Sequence, residues 1–266
     1  AQAKKTVAKK QPSLKKPAAK KTAAKKPSKK KEQIKDARIV LVFDRSGSMD
    51  HLISDAIGTY NSFKKQQSGL KGKTLWSAYM FDSVYEPIIE AADIKDVPDL
   101  TEQVYFARGS TAYLDALGKT ITTFKASNDP KVKTILAVMT DGYENASREY
   151  TREQVKALVK EVQEKFDWEV LFFGANIDAL GEGSGLGVAR GSSAKMDNNA
   201  KGFKDLTVVL SAAATLSRGA SKNMVEDYYF AATGKSAEGY SGFSGSKLNV
   251  AEFYEKVKQD TEESNK

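Results

Sequence analysis

Apolar residues along this chain recur in two ways: as short unbroken runs, and as longer stretches in which they return every three or four positions. The runs at residues 38–43, 74–81, 84–89, 134–140 and 169–173 are rich in β-branched and aromatic side chains. Runs of that length and character predict strands, most of them buried on both faces. Between them, Leu52, Ile53, Ala56, Ile57, Tyr60 and Phe63 share one face at a 3.6-residue period, which predicts a helix after Asp50. Thr151-Arg152-Glu153-Gln154 reads as a capping box, and Val155, Leu158, Val159, Val162 and Phe166 repeat at helical spacing behind it. Leu206, Val209, Leu210, Ala213 and Leu216 predict a further helix. This alternation predicts an α/β fold: a doubly wound, mainly parallel sheet with helices on both faces. Residues 181–202, rich in Gly, Ser, Asn and Ala, read as a long loop. From Met224 the pattern loosens. Even so, Tyr228, Tyr229, Phe230, Tyr240, Phe243, Phe253 and Tyr254 are too many aromatics for a disordered end. The expected division is a domain at 37–221 and an extension at 222–266, packed on the domain or on a partner.

Charge adds a third segment. Lys4, Lys5, Lys9, Lys10, Lys15, Lys16, Lys20, Lys21, Lys25, Lys26, Lys29, Lys30 and Lys31 fall in pairs and one triplet, with no acid among residues 1–31. Taking their +13 from the chain's +8 leaves the remainder at −5, so the basic character belongs to this segment. With little apolar side chain beyond Ala and high like charge, residues 1–33 cannot offset their own ordering entropy and read as a disordered basic tail. Such a tail suits a polyanion, DNA or RNA, with a solubilising extension as the alternative. Neither aromatic nor arginine interrupts the lysines, which excludes base stacking and bidentate guanine reading and leaves non-specific phosphate contact. The chain has no cysteine, which excludes disulfides and thiol chemistry. Its basic beginning lacks the apolar run of a secretory signal, and no stretch approaches a membrane span, so a soluble, unexported, cytoplasmic protein is expected.

The candidate chemistry sits where the first strand ends. Asp44, Ser46 and Ser48 alternate, so three oxygens can turn toward one point at the C-terminal edge of an open sheet. Arg108-Gly109-Ser110-Thr111 brings a hydroxyl to the start of an amphipathic helix, and Met139-Thr140-Asp141-Gly142 brings a carboxylate to the end of another strand. Oxygen-only donors select a hard cation: magnesium, or else manganese or calcium.

In these motifs the chain resembles the von Willebrand factor type A family, from about residue 37 to 221. The residues after Asp141 and around 172–179 resemble stand-alone versions from bacteria and their phages. The resemblance implies a metal-ion-dependent adhesion site of Asp44, Ser46, Ser48, Thr111 and Asp141. It further implies that Ser46 and Ser48 bind the metal directly, that Asp44 and Asp141 act mainly through water or hydrogen bonds, and that Thr111 joins when a ligand is bound. A protein partner would then complete the shell with an Asp or Glu carboxylate. For a phage-encoded version the location would be host cytoplasm or virion.

Asp50, Asp82, Glu144 and Asp178 are further carboxylates that could lie near the site, Asp82 behind it. His51, the single histidine, has no Cys or second His beside it, so zinc is not expected and a surface or capping role is. Gly-Lys-Thr or Gly-Lys-Ser occurs at 72–74, 118–120 and 234–236, but Gln67, Tyr113 and Tyr229 stand where a P-loop needs Gly. No serine lies in Gly-x-Ser-x-Gly. The expected function is therefore a non-enzymatic, metal-dependent adhesion module tethered to a polyanion. The alternatives are an assembly protein whose interface ignores the metal and, more distantly, a magnesium-dependent enzyme acting on phosphates.

Overall fold

The computed structural model describes residues 34–237, 239–245 and 247–264. The segment 1–33, and with it the expectations of disorder and polyanion binding, lies outside the described residues.

Strands β1 (Ala37–Asp44), β2 (Thr74–Phe81), β3 (Tyr85–Asp93), β4 (Lys133–Thr140), β5 (Glu169–Gly174) and β6 (Ser193–Lys195) form one sheet in the order β3-β2-β1-β4-β5-β6. All pairings are parallel except β2 with β3, an antiparallel edge carrying register shifts between Trp76 and Tyr79. β1 lies between β2 and β4, which explains its lack of polar alternation: a central parallel strand buries both faces. Ile39, Leu41 and Phe43 point into one core, with α1 (Ile53–Ser68) and α5 (Ala200–Ser217). Val40 and Val42 point into the other, with α2 (Tyr113–Ala126) and α3 (Arg152–Phe166). The fold is thus the doubly wound α/β sheet that the alternation predicts.

The Thr151 capping box forms as read: its hydroxyl accepts the Gln154 N–H and its own N–H donates to the Gln154 side chain. Residues 181–202 depart from expectation. They hold most of a short helix, α4 (Ala179–Gly185), and all of β6. The glycines that suggest a loop serve close packing instead, since a Cβ on Gly183 would collide with the Ser193 side chain of β6. The core also continues past residue 221. Helices α6 (Lys222–Thr233) and α7 (Val250–Ser264), with the short hairpin of β7 (Phe243–Ser244) and β8 (Lys247–Leu248), place Val225, Tyr229, Phe253, Tyr254 and Val257 against α5 in the first core. Four of the seven C-terminal aromatics meet one another there, Tyr240 packing on Phe243 and Phe253, and Phe253 on Tyr229. No helix among the described residues is long and apolar enough to cross a membrane.

Candidate metal centre

β1 and β4 run parallel in register, Phe43 opposite Met139, so Asp44 and Asp141 leave the sheet side by side at its C-terminal edge. Asp44 is fully buried. One of its carboxylate oxygens accepts the Ser46 N–H at 2.7 Å and the other accepts the Thr140 hydroxyl at 2.5 Å. Its backbone carbonyl accepts the buried Tyr105 hydroxyl. A six-residue 3-10 turn, Gly47–Leu52, follows at once and carries Ser48 into solvent. The Ser46 and Ser48 hydroxyls stand 3.1 Å apart, and Ser48 Oγ donates to Asp141 Oδ1 at 2.5 Å. Thr111 is held from the other side: its N–H donates to Asn145 Oδ1 at 2.9 Å and its carbonyl accepts the Asn145 N–H at 3.0 Å. Thr111 and Ser48 both face Gly142, where a Cβ would stand 3.2 Å from the one hydroxyl and 3.8 Å from the other. The structure therefore brings Asp44, Ser46, Ser48, Thr111 and Asp141 together.

This cluster is short of positive charge. Burial pushes the Asp44 carboxyl up to about 6, hydrogen bonds from Thr140 and Ser46 resisting and the charge of Asp141 adding to the rise. Burial also raises Asp141. Asp141 Oδ2 is buried and has no hydrogen-bond partner, an uncommon state for a carboxylate oxygen. Among the described residues no group of three or more His, Cys, Asp or Glu is placed to hold a metal; the donors here are hydroxyls and two carboxylates. That set fits a hard divalent cation, whose charge would satisfy the orphaned oxygen. Ser46, Ser48 and Asp141 are the residues that would hold it, Asp141 through its unpartnered Oδ2 and the two serines through hydroxyls that otherwise bond only within the cluster.

The neighbouring carboxylates have other duties. Asp82 is buried and bridges two arginines: Oδ2 accepts Arg45 Nε at 2.7 Å and Arg108 Nε at 2.8 Å, while Oδ1 accepts the Val84 N–H at 2.7 Å. Glu86 binds the far side of both guanidinium groups. Arg45, a residue that the motif leaves unmarked, is 1% exposed. Its carbonyl accepts the Arg108 N–H at 2.8 Å, and Gly47 N–H donates to the Gly109 carbonyl at 3.1 Å. The ion cluster thus pins the loop bearing Thr111 onto the loop bearing Ser46 and Ser48. Glu144 accepts N–H groups of Leu114, Ala146 and Ser147, tying the start of α2 to the loop after β4. Asp178 caps α4 through Gly181 N–H. Asp50 is exposed. His51, also exposed, stands 3.3 Å from the Asn198 amide, a surface position as expected.

With this geometry in view, comparisons with known proteins speak to architecture. No protein-family profile matches the sequence, and no curated protein does. Among solved structures, the PilB minor pilin from Streptococcus sanguinis matches with a TM-score of 0.52 at 12% identity, over 75% of this chain and 64% of the pilin. Proximal thread matrix protein 1 from the mussel byssus matches with a TM-score of 0.50 at 16% identity, over 68% of this chain and 47% of that protein. A von Willebrand factor type A protein from Catenulispora acidiphila matches with a TM-score of 0.47 at 14% identity, over 67% and 43%. The two matches with a TM-score of 0.50 or more bear on the α/β architecture. At these identities the likeness is one of fold alone, and this chain spans less than two thirds of each of those structures.

Proposed function

We propose that this protein is a non-enzymatic adhesion module that grips a protein carboxylate through a magnesium ion held by Ser46, Ser48 and Asp141. Asp44 orients Ser46, and Thr111 stands ready beside them. The observation that carries this reading is the buried, unpartnered Asp141 Oδ2, set among hydroxyls that face one another. A divalent ion there would supply the missing positive charge and keep coordination positions open for an incoming Asp or Glu. Manganese or calcium would suit the same donors.

The lysine-rich segment is the second half of the proposal: a tether to DNA, RNA or another polyanion. The chain enters the sheet at Ala37, at the opposite end of an eight-residue strand from Asp44. At ~3.3 Å per residue that is a separation of about 25 Å. Partner and polyanion need not compete for one surface. Deleting residues 1–31 should abolish salt-sensitive binding to duplex DNA and leave any carboxylate-dependent capture intact; unchanged DNA binding sinks the tether.

The alternative of an assembly protein joined through its C-terminal aromatics has less to work with. Tyr229, Phe253 and Tyr254 are spent in the core, and of that group only Phe230 is left largely exposed. The deciding experiment is calorimetric titration of the full chain with manganese and magnesium, beside Asp44→Ala. Binding by the wild type and its loss in the variant support the reading; a wild type that binds neither ion refutes it.

A further inference from the structure

The large apolar side chains left exposed among the described residues are unevenly placed. They are Val84, Val104, Phe106, Tyr143, Leu180 and Phe230. Isolated exposed apolar residues are ordinary, whereas their gathering on one face marks an interaction surface. Phe230 lies on α6, away from the others. The remaining five all follow the C-terminal ends of sheet strands or border the loops there. Val84 stands in the turn after β2, Val104 and Phe106 in the segment leading to α2, Tyr143 after β4, and Leu180 at the start of α4 after β5.

Contacts place two of them beside the metal centre. The Phe106 ring lies against the guanidinium groups of Arg45 and Arg108, 5.8 and 5.6 Å from its centroid. Those arginines carry the loops of Ser46 and Thr111. On the other side Tyr143 follows Gly142, the residue that faces both Ser48 and Thr111. The Tyr143 hydroxyl accepts the Asp178 N–H at 3.2 Å, which brings the ring to the cap of α4 beside Leu180. An aromatic at 44% exposure and another at 54% thus stand on the loops that hold the cluster, whose exposed hydroxyl is Ser48.

Charge decides what fits. A divalent ion held by the one carboxylate of Asp141 and two hydroxyls would keep positive charge and open positions for an anionic group. The nearby Arg45 and Arg108 are already neutralised by Asp82 and Glu86, so these two arginines are not free to bind phosphates. We propose that this face takes an extended protein segment in which a single Asp or Glu is flanked by bulky apolar side chains. The carboxylate goes to the metal, and the flanking side chains lie on Phe106 and Tyr143. This specificity rests on the adhesion reading above and adds the chemistry of the partner to it.

The test is selection from a random peptide library displayed on phage, against the full chain, in magnesium at high salt and again in EDTA. High salt suppresses capture of acidic peptides by the lysines. The expected result is magnesium-dependent enrichment of peptides carrying Asp or Glu within two residues of Phe, Tyr, Trp, Leu or Ile. Phe106→Ala combined with Tyr143→Ala should weaken those peptides about tenfold or more, the scale of aromatic anchors at interfaces. Manganese affinity and thermal melting of the double variant, measured alongside, separate loss of the apolar flank from disturbance of the metal site: the proposal expects the peptide affinity to fall well beyond any change in manganese affinity. Acidic peptides without apolar neighbours, no magnesium-dependent enrichment, or a double variant within twofold of wild type would each overturn the specificity while leaving manganese binding in place. Loss of manganese binding by the wild type itself is the separate failure of the adhesion reading.

Discussion

Asp82→Asn is the most informative single substitution for the architecture around the site. The wild-type carboxylate is 3% exposed and its partner Arg45 1%, so the pair is out of water on both sides. Asn keeps the shape and can still accept from the Val84 N–H, but it presents no charge, and its NH2 then faces both Nε–H groups that share Oδ2, leaving Arg45 and Arg108 without an acceptor there. Removing one member of a buried ion pair costs about 3–5 kcal/mol, because the other charge is left uncompensated. Glu86 still serves the far side of both arginines, which puts the expected loss at the low end, about 3 kcal/mol. For a body of this size that is a fall in Tm of roughly 6–12 °C.

The assay is thermal and urea denaturation at neutral pH in EDTA, with Glu86→Gln as the comparison. Glu86 is 39% exposed, so its loss should cost about 1 kcal/mol or less. A pH series adds a second readout. Burial alone would raise the Asp82 carboxyl, but hydrogen bonds from Arg108 and Val84, with the charge of Arg45, outweigh it and hold the group below the ordinary range. A depressed carboxyl contributes stability above its unfolded value of about 3.9 and loses it as pH falls through its folded value. The wild type's margin over Asp82→Asn should therefore shrink below about pH 4. A cost under about 1 kcal/mol at neutral pH, or Glu86→Gln as damaging as Asp82→Asn, would refute the argument from buried charge.

Other outcomes follow from the same side chains. Asp141→Asn should abolish manganese binding in calorimetry yet leave Tm in EDTA equal to or above wild type, since it removes one of two buried carboxylates that repel each other; a clear fall in Tm would count against that repulsion. Magnesium affinity should be full above about pH 7 and fall by up to about tenfold per unit below about 6, because the ion's charge favours the ionised form of the neighbouring Asp44, whose carboxyl burial raises to about 6. For the same reason metal-free stability should decline as pH rises from about 4 to 6, the sign for a carboxyl raised by folding; titrations across this window check both, and a flat profile excludes Asp44 as the linked group. Thr151→Ala, by breaking the capping box, should cost about 1 kcal/mol in urea denaturation without changing manganese affinity.

What was legible in the sequence divides along a physical line. Regular burial leaves a period, so β1, the helix after Asp50 and the helix behind Thr151 could be read from apolar spacing alone. β6 has three residues and α4 seven, both too short to show a period, and their glycines work by permitting contact between α4 and β6 that no local pattern records. The packing of α6 and α7 was open for a related reason: the aromatics announce burial but not against what. The five site residues could be listed because an alternating triplet and two loop motifs are local features, and together they resemble the von Willebrand factor type A pattern. What fixes their mutual distances is not local. Arg45 sits between Asp44 and Ser46, where a charged side chain reads as solvated loop, and its acceptors lie 37 and 41 positions away in Asp82 and Glu86. Thr111 is placed by Asn145, 34 positions on. One sequence names the oxygens at a site; the long-range ion pairs and amide contacts that aim them become readable only once the chain is folded. Those supporting contacts are where substitutions should alter affinity without touching a single donor.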